Sequence, residues 1–286
     1  MNNAAILAEN LAYTYGSIKA VDNISFAVAP GEVLGFLGPN GAGKSTTVKI
    51  LTGQLRPRSG RALLLGEDIS HQPDRVQSHI GVCFEITNLY EKMSGAENLK
   101  LFADLFGMRG FDPTPLLEKV GLAERGRDRV AGYSKGMKQR LMIARALVNQ
   151  PKVLFLDEPT DGLDPVSAES IRNLIQEESA RGTTVFLTTH DMHEADKLAN
   201  RVAFINQGKI VALDSPHTLK QRYGKRALIA QVERDGQLET LEIVMDEADT
   251  SSQVQQLFAT EKVVTIHSEE ATLEDIFIQI TGRGLT

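Results

Sequence analysis

The sequence predicts an α/β fold, a largely parallel sheet covered by helices, followed by a small α+β domain. Three observations carry that expectation. Short apolar runs alternate with helical stretches over most of the chain, the pattern of strands connected by crossover helices. A glycine-rich segment, Gly38 to Ser45, lies between one such run and a helix. After Pro216 the order changes to two strands, a helix, a strand and a last helix.

Taken in order, Ala5 to Ala8, Ser25 to Val28 and Val33 to Leu37 read as strands. The apolar spacing of Thr46 to Leu51 suits a helix, and the turn at Pro57 to Gly60 leads into a strand at Ala62 to Leu65. Residues 91 to 150 read mostly as helices, with breaks at Phe111-Asp112-Pro113 and Gly132. Strands return at Val153 to Leu156 and Thr184 to Leu187, on either side of a helix over Ala168 to Ala180. In the tail, Arg226 to Glu233 and Leu238 to Met245 form a hairpin at Asp235-Gly236. A helix over Ser252 to Thr260, a strand over Val263 to His267 and a helix over Thr272 to Ile280 complete it. Thr272 and Asp275 have the spacing of a capping box. The expected division is residues 1–220, with a helical region at about 86–150, and an accessory domain at 221–286.

Composition narrows the function classes. The 286 residues exceed one typical domain, and 42% hydrophobic content supplies a sizeable core. No apolar run approaches the roughly 18 to 20 residues that span a bilayer. Met1 to Ala4 lack the basic-then-apolar pattern of a signal peptide. A single cysteine, Cys83, rules out an internal disulfide and suits a reducing cytoplasm; its neighbours Val82 and Phe84 place it in the core. The net charge of −6 argues against a general nucleic-acid surface, and no nucleic-acid partner is expected. Between Glu233 and Asp275 twelve acidic residues face only Arg234 and Lys262, so the tail is acidic and the rest mildly basic.

Gly38-Pro39-Asn40-Gly41-Ala42-Gly43-Lys44-Ser45 matches G-x-x-x-x-G-K-[ST] in full, between a strand and a helix. Glycines let successive backbone N–H groups face phosphates, and the helix start, including Thr46, adds its positive dipole end. Lys44 can reach the β- and γ-phosphates, and the Ser45 hydroxyl can ligate Mg²⁺. A second apolar strand delivers Asp157 and Glu158 to a sheet edge. Asp157 suits Mg²⁺ there, and Glu158 suits polarisation of an attacking water. His190, at the end of a third strand, suits a γ-phosphate contact.

Five segments in fixed order resemble the nucleotide-binding domain of ABC transporters. They are the glycine loop, Tyr133-Ser134-Lys135-Gly136-Met137-Lys138-Gln139, Leu156-Asp157-Glu158-Pro159, Gly162-Leu163-Asp164-Pro165 and Thr189-His190-Asp191. The resemblance covers about residues 5 to 220. It implies a P-loop NTPase core with an antiparallel β subdomain and a helical subdomain, working as an ATPase. It further implies that two copies sandwich two ATP molecules, with Ser134 and Gly136 of one copy on the γ-phosphate held by the other. Asp164 would cross that interface, and Tyr15 would stack on adenine, with Tyr13 as the alternative. The helical region would offer a groove to a separate membrane permease, holding the chain at the cytoplasmic face of the membrane.

Two departures from the family pattern stand out. Tyr133, Lys135 and Met137 replace three of the five usual signature residues, L-S-G-G-Q. Glu85 stands where the family has a glutamine that ends a strand and contacts Mg²⁺. The segment Gly136 to Arg140 and the ending Thr272 to Phe277 with Thr281-Gly282-Arg283 resemble the bacterial drug, antibiotic, sodium and lipid export branch. The competing class is a soluble ABC ATPase acting on DNA or ribosomes. Such proteins usually carry two cassettes or a long coiled coil, whereas this chain has one cassette and a short gap. A cassette that binds ATP without hydrolysing it is expected to lack Glu158 or His190, and both are present.

Overall fold

The computed structural model describes residues 4–224, 226–234, 236–245 and 249–282. Strands β1 (Ile6–Tyr15) and β2 (Ile18–Val28) are much longer than the apolar runs that announce them. They pair antiparallel from Ile6 opposite Val28 to Tyr15 opposite Ile18, with three slips of register. Asn10 and Asn23 take positive φ within them, a conformation asparagine tolerates better than most residues. The alternation is lost at these irregularities although the strands continue.

β3 (Val33–Leu37) is buried along its whole length, so it reads as a continuous apolar run. Helix α1 (Lys44–Leu51) starts directly from the glycine loop, two residues earlier than its apolar spacing suggests. β4 (Ser59–Leu64) pairs antiparallel with β1, and β5 (Glu67–Asp68) with β4. These complete a four-stranded antiparallel sheet of order β2-β1-β4-β5. The strands expected at Ala5 to Ala8 and Ser25 to Val28 therefore belong to this sheet, not to the parallel one.

The short α2 (Pro73–Gln77) precedes β6 (Ile80–Cys83). The helical region then holds α3 (Gly95–Leu105), α4 (Thr114–Lys119) and α5 (Lys135–Ala146), with single 3-10 turns at Ala123–Arg125 and Val130–Gly132. Ser94 and Glu97 close a capping box that fixes the start of α3. The chain continues through β7 (Val153–Asp157), α6 (Pro165–Ala180), β8 (Thr184–Thr189), α7 (Met192–Leu198), β9 (Arg201–Asn206) and β10 (Lys209–Asp214). The second sheet has the order β10-β9-β3-β8-β7-β6, and the five strands from β9 to β6 run parallel.

β9 and β10 have no counterpart in the sequence reading. The signal is present in retrospect: Val202 to Ile205 are buried and a Gln207-Gly208 turn follows, both residues at positive φ. One face of the sheet packs Phe36, Phe155 and Phe186, joined by Phe26 from β2; ring centroids lie 5.3 Å apart for Phe36–Phe186 and 5.9 Å for Phe26–Phe186. The other face buries Leu154, Leu156 and Leu187 against Leu99, Leu141 and Ile171 of the helices. Cys83 lies in that second core, and burial pushes its thiol up to about 12, which makes it inert.

The chain divides into one compact unit ending at Leu213 and a second beginning at Asp214. The second holds α8 (Pro216–Tyr223), β11 (Arg226–Arg234), β12 (Gln237–Val244), α9 (Thr250–Thr260), β13 (Lys262–Glu270) and α10 (Leu273–Thr281). α8 groups with this unit because it packs on α10, which moves the division a few residues ahead of 220. The three strands form an antiparallel sheet of order β12-β11-β13 around Ala230, Val232, Ile243 and Leu257. Arg234 pairs with Gln237, and Gly236 takes φ +78° in the hairpin turn; Asp235 lies outside the described residues. Thr272 and Asp275 form the reciprocal capping box. Arg283, part of the tail motif, also lies outside the described residues.

Candidate nucleotide site

The glycine loop is built by close backbone approach. A side-chain carbon added at Gly38 would lie 2.2 Å from the carbonyl oxygen of Ile205, and one at Gly43 would lie 2.3 Å from that of Ala20. Gly43 also takes φ +111°, so glycine is required there twice over. The Ala42 N–H donates to the Pro39 carbonyl at 3.1 Å and closes the loop. Lys44 folds back over it, its ammonium donating to the Gly38 carbonyl at 2.6 Å. α1 has no side-chain cap, and its first internal bond runs from the Thr47 N–H to Gly43. The amides of Lys44, Ser45 and Thr46 are left for an anion.

The loop opens on a cavity of about 130 Å³ lined by Asn40, Gly41, Lys44, Ser45, Thr46, Glu85 and Glu158, among others. Whole small-molecule sites enclose about 300–1,000 Å³. This cavity is the size of a phosphate tail, so a nucleotide bound there needs further surface for its base and sugar.

β7 and β8 bring the acidic residues to the same place. Asp157, the last residue of β7, is buried and accepts a hydrogen bond from the Thr188 hydroxyl of β8. Glu158 takes φ +50°, a strained conformation for a non-glycine residue, and its N–H donates to the Thr188 carbonyl at 3.0 Å. This turn aims the Glu158 side chain at the loop. Oε1 lies 3.2 Å from the Lys44 ammonium, and Oε2 accepts from the His190 backbone at 3.2 Å. The His190 Nδ1 is 3.0 Å from the same Oε2, and its Nε2 is 3.9 Å from Asp161. Buried Oε1 contacts Lys44 as an ion pair but accepts no hydrogen bond, leaving a lone pair for a water or a cation's water shell.

The fold thus brings Lys44, Glu158 and His190 into contact, with Asp157 next to Glu158 at the buried end of β7. Glu85 needs a correction. It does not end a strand: β6 stops at Cys83, and Glu85 follows two residues later as an exposed residue. It still lines the phosphate cavity together with Ser45 and Glu158. Replacing Glu85 by Gln removes one negative charge beside the position of a triphosphate. ATP affinity is expected to hold or to rise by a few-fold, from a Coulomb term of order 1 kcal/mol at these separations. A nucleotide titration of the E85Q variant showing lost binding would give the carboxylate a different task.

Tyr15 and Tyr13 contact each other edge to face at 4.8 Å. Tyr13 is packed against the core and has the Arg58 guanidinium 5.8 Å from its ring centre, whereas Tyr15 is exposed. Only Tyr15 of the two offers a large bare ring.

Ser134, Gly136 and Asp164 lie outside the phosphate cavity, at the abutting starts of α5 and α6. The Ser134 hydroxyl caps α5 by accepting from the Met137 N–H at 3.3 Å. Gly136 faces Ser167, whose hydroxyl would be 2.5 Å from an added side-chain carbon. Asp164 caps α6 by accepting from the Ser167 N–H at 2.9 Å, and hydrogen bonds from Ser167 hold its carboxyl below the usual range. Tyr133 explains one signature departure: it is buried, and its hydroxyl donates to the Arg125 carbonyl at 2.7 Å. Lys135 points to solvent, its ammonium 4.0 Å from Asp161.

Comparison with known proteins agrees with this geometry. The family model described as ABC transporter matches residues 21–161. A fluoroquinolones export ATP-binding protein of Mycobacterium tuberculosis is 46% identical over 275 residues, covering 96% of this chain and 91% of that protein. The chain belongs to the ABC transporter family. Daunorubicin resistance ATP-binding protein DrrA2 of Streptomyces coeruleorubidus is 38% identical, covering 99% of this chain and 96% of its own length. Among solved structures, an ATP binding subunit of an ABC transporter superposes with a TM-score of 0.71 at 28% identity, over 77% of this chain and 93% of that one. A dimeric ATP-binding cassette bound to ADP and Pi gives 0.66 at 26% identity, over 73% and 98%. The architecture is thus the P-loop core of an ABC ATPase with its antiparallel and helical subdomains.

Proposed function

We propose that this chain is the ATP-binding and ATP-hydrolysing subunit of an ABC exporter, energising a separate membrane permease. The observation that carries the reading is the convergence of Lys44 and His190 on Glu158 at the mouth of the glycine loop. In this reading the loop amides and Lys44 hold the β- and γ-phosphates. Glu158 orients and polarises the attacking water, and His190 fixes Glu158 and contacts the γ-phosphate. Ser45, Asp157 and Glu85 would hold Mg²⁺, which when bound supplies charge neutralisation for the transferred phosphoryl group. A donor set of one hydroxyl and two carboxylates fits an ion that keeps waters and phosphate oxygens as its other ligands.

The small cavity supports a shared site. A second copy would add Ser134, Gly136 and Asp164 across the nucleotide, and exposed Tyr15 would stack on the adenine. ATP binding would close the pair and hydrolysis would release it.

Among the described residues no helix is long and apolar enough to cross a membrane. An apolar groove of about 460 Å³ between β6 and the helical region suits a short permease helix. Val82, Phe84, Phe102 and Phe106 line it, and Phe84 adjoins Glu85 in sequence, linking groove to phosphate cavity. The working place is the cytoplasmic face of the membrane. Relatives are named for fluoroquinolones export, daunorubicin resistance and Nod factor export, names that point to no single cargo.

The reading is tested by tagging the Glu158→Gln variant in its own host and solubilising membranes with ATP and Mg²⁺. A polytopic membrane protein in near-equal amount is expected to copurify. Adding Phe106→Asp, which places a charge in the apolar groove, is expected to remove that partner while ATP binding persists. Recovery from the soluble fraction with ribosomes or nucleic acid would overturn the exporter reading.

A further inference from the structure

We infer that Glu194 is a positioning residue for ATP hydrolysis, a buried carboxyl that ties the loop after Glu158 to the helix after His190. Glu194 lies in the first turn of α7 and is 1% exposed. Its Oε1 is 2.5 Å from the Thr160 hydroxyl, two residues beyond Glu158. Its Oε2 is buried and has no hydrogen-bond partner. The Glu194 N–H donates to Asp191 Oδ1 at 3.0 Å, and the Asp191 N–H donates to the Thr189 hydroxyl at 3.0 Å. One short chain of contacts therefore runs from the end of β8, past His190, to the loop that carries Asp161 and Asp164.

An ionised carboxylate with one bare oxygen in such a place is costly, whereas a neutral carboxyl is tolerated. The surroundings agree. Burial raises the Glu194 carboxyl above its ordinary range and Asp191 on its own helix adds to the rise; Thr160 of the loop, Thr189 of β8 and Arg172 of α6 oppose it. The Thr160 hydroxyl donates to Oε1, and burial favours the neutral form over a charge that Oε2 has no partner to share. Thr160 is held in this way while Glu158, two residues before it, keeps the positive φ of 50° that aims its side chain. Loss of the tie frees the loop, and a misplacement of about 1 Å at a reacting group costs rate rather than substrate affinity.

The inference rests on the ATPase reading, and the experiment separates the two. ATP turnover of the full chain is measured from pH 6 to 9 for the wild type and for Glu194→Ala, Glu194→Gln and Thr160→Val. Glu194→Ala is expected to lower kcat about tenfold with KM for ATP changed less than about twofold. Glu194→Gln, which mimics the neutral acid, is expected to stay within about twofold of wild type. Ionising the covered carboxyl loosens the tie, so wild-type kcat is expected to fall as pH rises through the elevated Glu194 range, a fall that Glu194→Gln lacks. Thr160→Val reproduces the alanine variant, and the double variant loses no more than either single one. Glu194→Gln as impaired as Glu194→Ala, or Thr160→Val as active as wild type, would overturn the inference even if the alanine variant failed to fold. A wild-type chain without ATPase activity would instead sink the reading beneath it.

Discussion

Replacing Glu158 by Gln is expected to lower ATP turnover by about 10²- to 10³-fold while making ATP bind more tightly. The first half follows from position. A general base supplies about 10²- to 10⁴-fold, and the amide keeps the shape of the acid but not its basicity. Gln also keeps the strained φ of +50° and can accept the His190 N–H, so the turn and its contacts survive and the loss is chemical. The second half follows from the ion pair. With Oε1 3.2 Å from the Lys44 ammonium, the Glu158 carboxylate competes with an incoming phosphate for the same cation. The amide releases Lys44, and relief of about 1 kcal/mol corresponds to a gain of roughly fivefold in affinity. Phosphate release and a nucleotide titration on the same preparation check both halves. Weaker binding together with lost turnover would mean that Glu158 holds the site together rather than acting on water.

How far these features could be read without coordinates depends on how local their causes are. The glycine loop is legible because its spacing is a backbone requirement: Gly43 needs φ +111° and Gly38 needs bare contact with Ile205. Asp157 and Glu158 are legible because a buried strand has to end somewhere, and its first polar residues stand at the sheet edge. The Asp235-Gly236 hairpin and the Thr272 capping box are local as well. The irregular β1–β2 pairing was only half legible, since Asn10 and Asn23 interrupt the alternation that marks a strand. β9 and β10 leave a weaker trace, a short buried run and a Gln207-Gly208 turn with no helix pattern between them. Contacts between distant segments were out of reach altogether. Thr188 holding Asp157, Ile205 backing Gly38 and Thr160 meeting Glu194 each join residues whose proximity only the assembled fold creates. The wrong strand end at Glu85 has the same origin: pairing with β7 stops at Cys83 opposite Leu156, and no pattern in residues 81–85 marks that stop.

Lys44→Met is expected to weaken ATP binding by about 10²-fold and to destabilise the fold at the same time. Methionine keeps the length and apolar stem but removes the charge, which is worth about 1.5–3 kcal/mol as hydrogen bonds to a phosphate. The cost to the fold comes from Glu158. Both side chains are almost fully covered, at 6% and 8% exposure, so removing the ammonium leaves a covered carboxylate beside the loop with His190 as its remaining partner. Breaking one half of a buried pair costs up to about 3–5 kcal/mol, and the partial exposure of His190 puts the expected loss at the lower end or below. The two effects separate in the double variant. Adding Glu158→Gln to Lys44→Met removes the orphaned charge and is expected to restore most of the denaturation midpoint, since the pair is deleted together. It cannot restore ATP affinity, because the cation is still missing. Thermal melts and nucleotide titrations on the three variants give the answer. If the double variant melts no higher than Lys44→Met, the contact between Lys44 and Glu158 contributes nothing to the resting fold, and the competition that tightens ATP binding in Glu158→Gln has no physical basis.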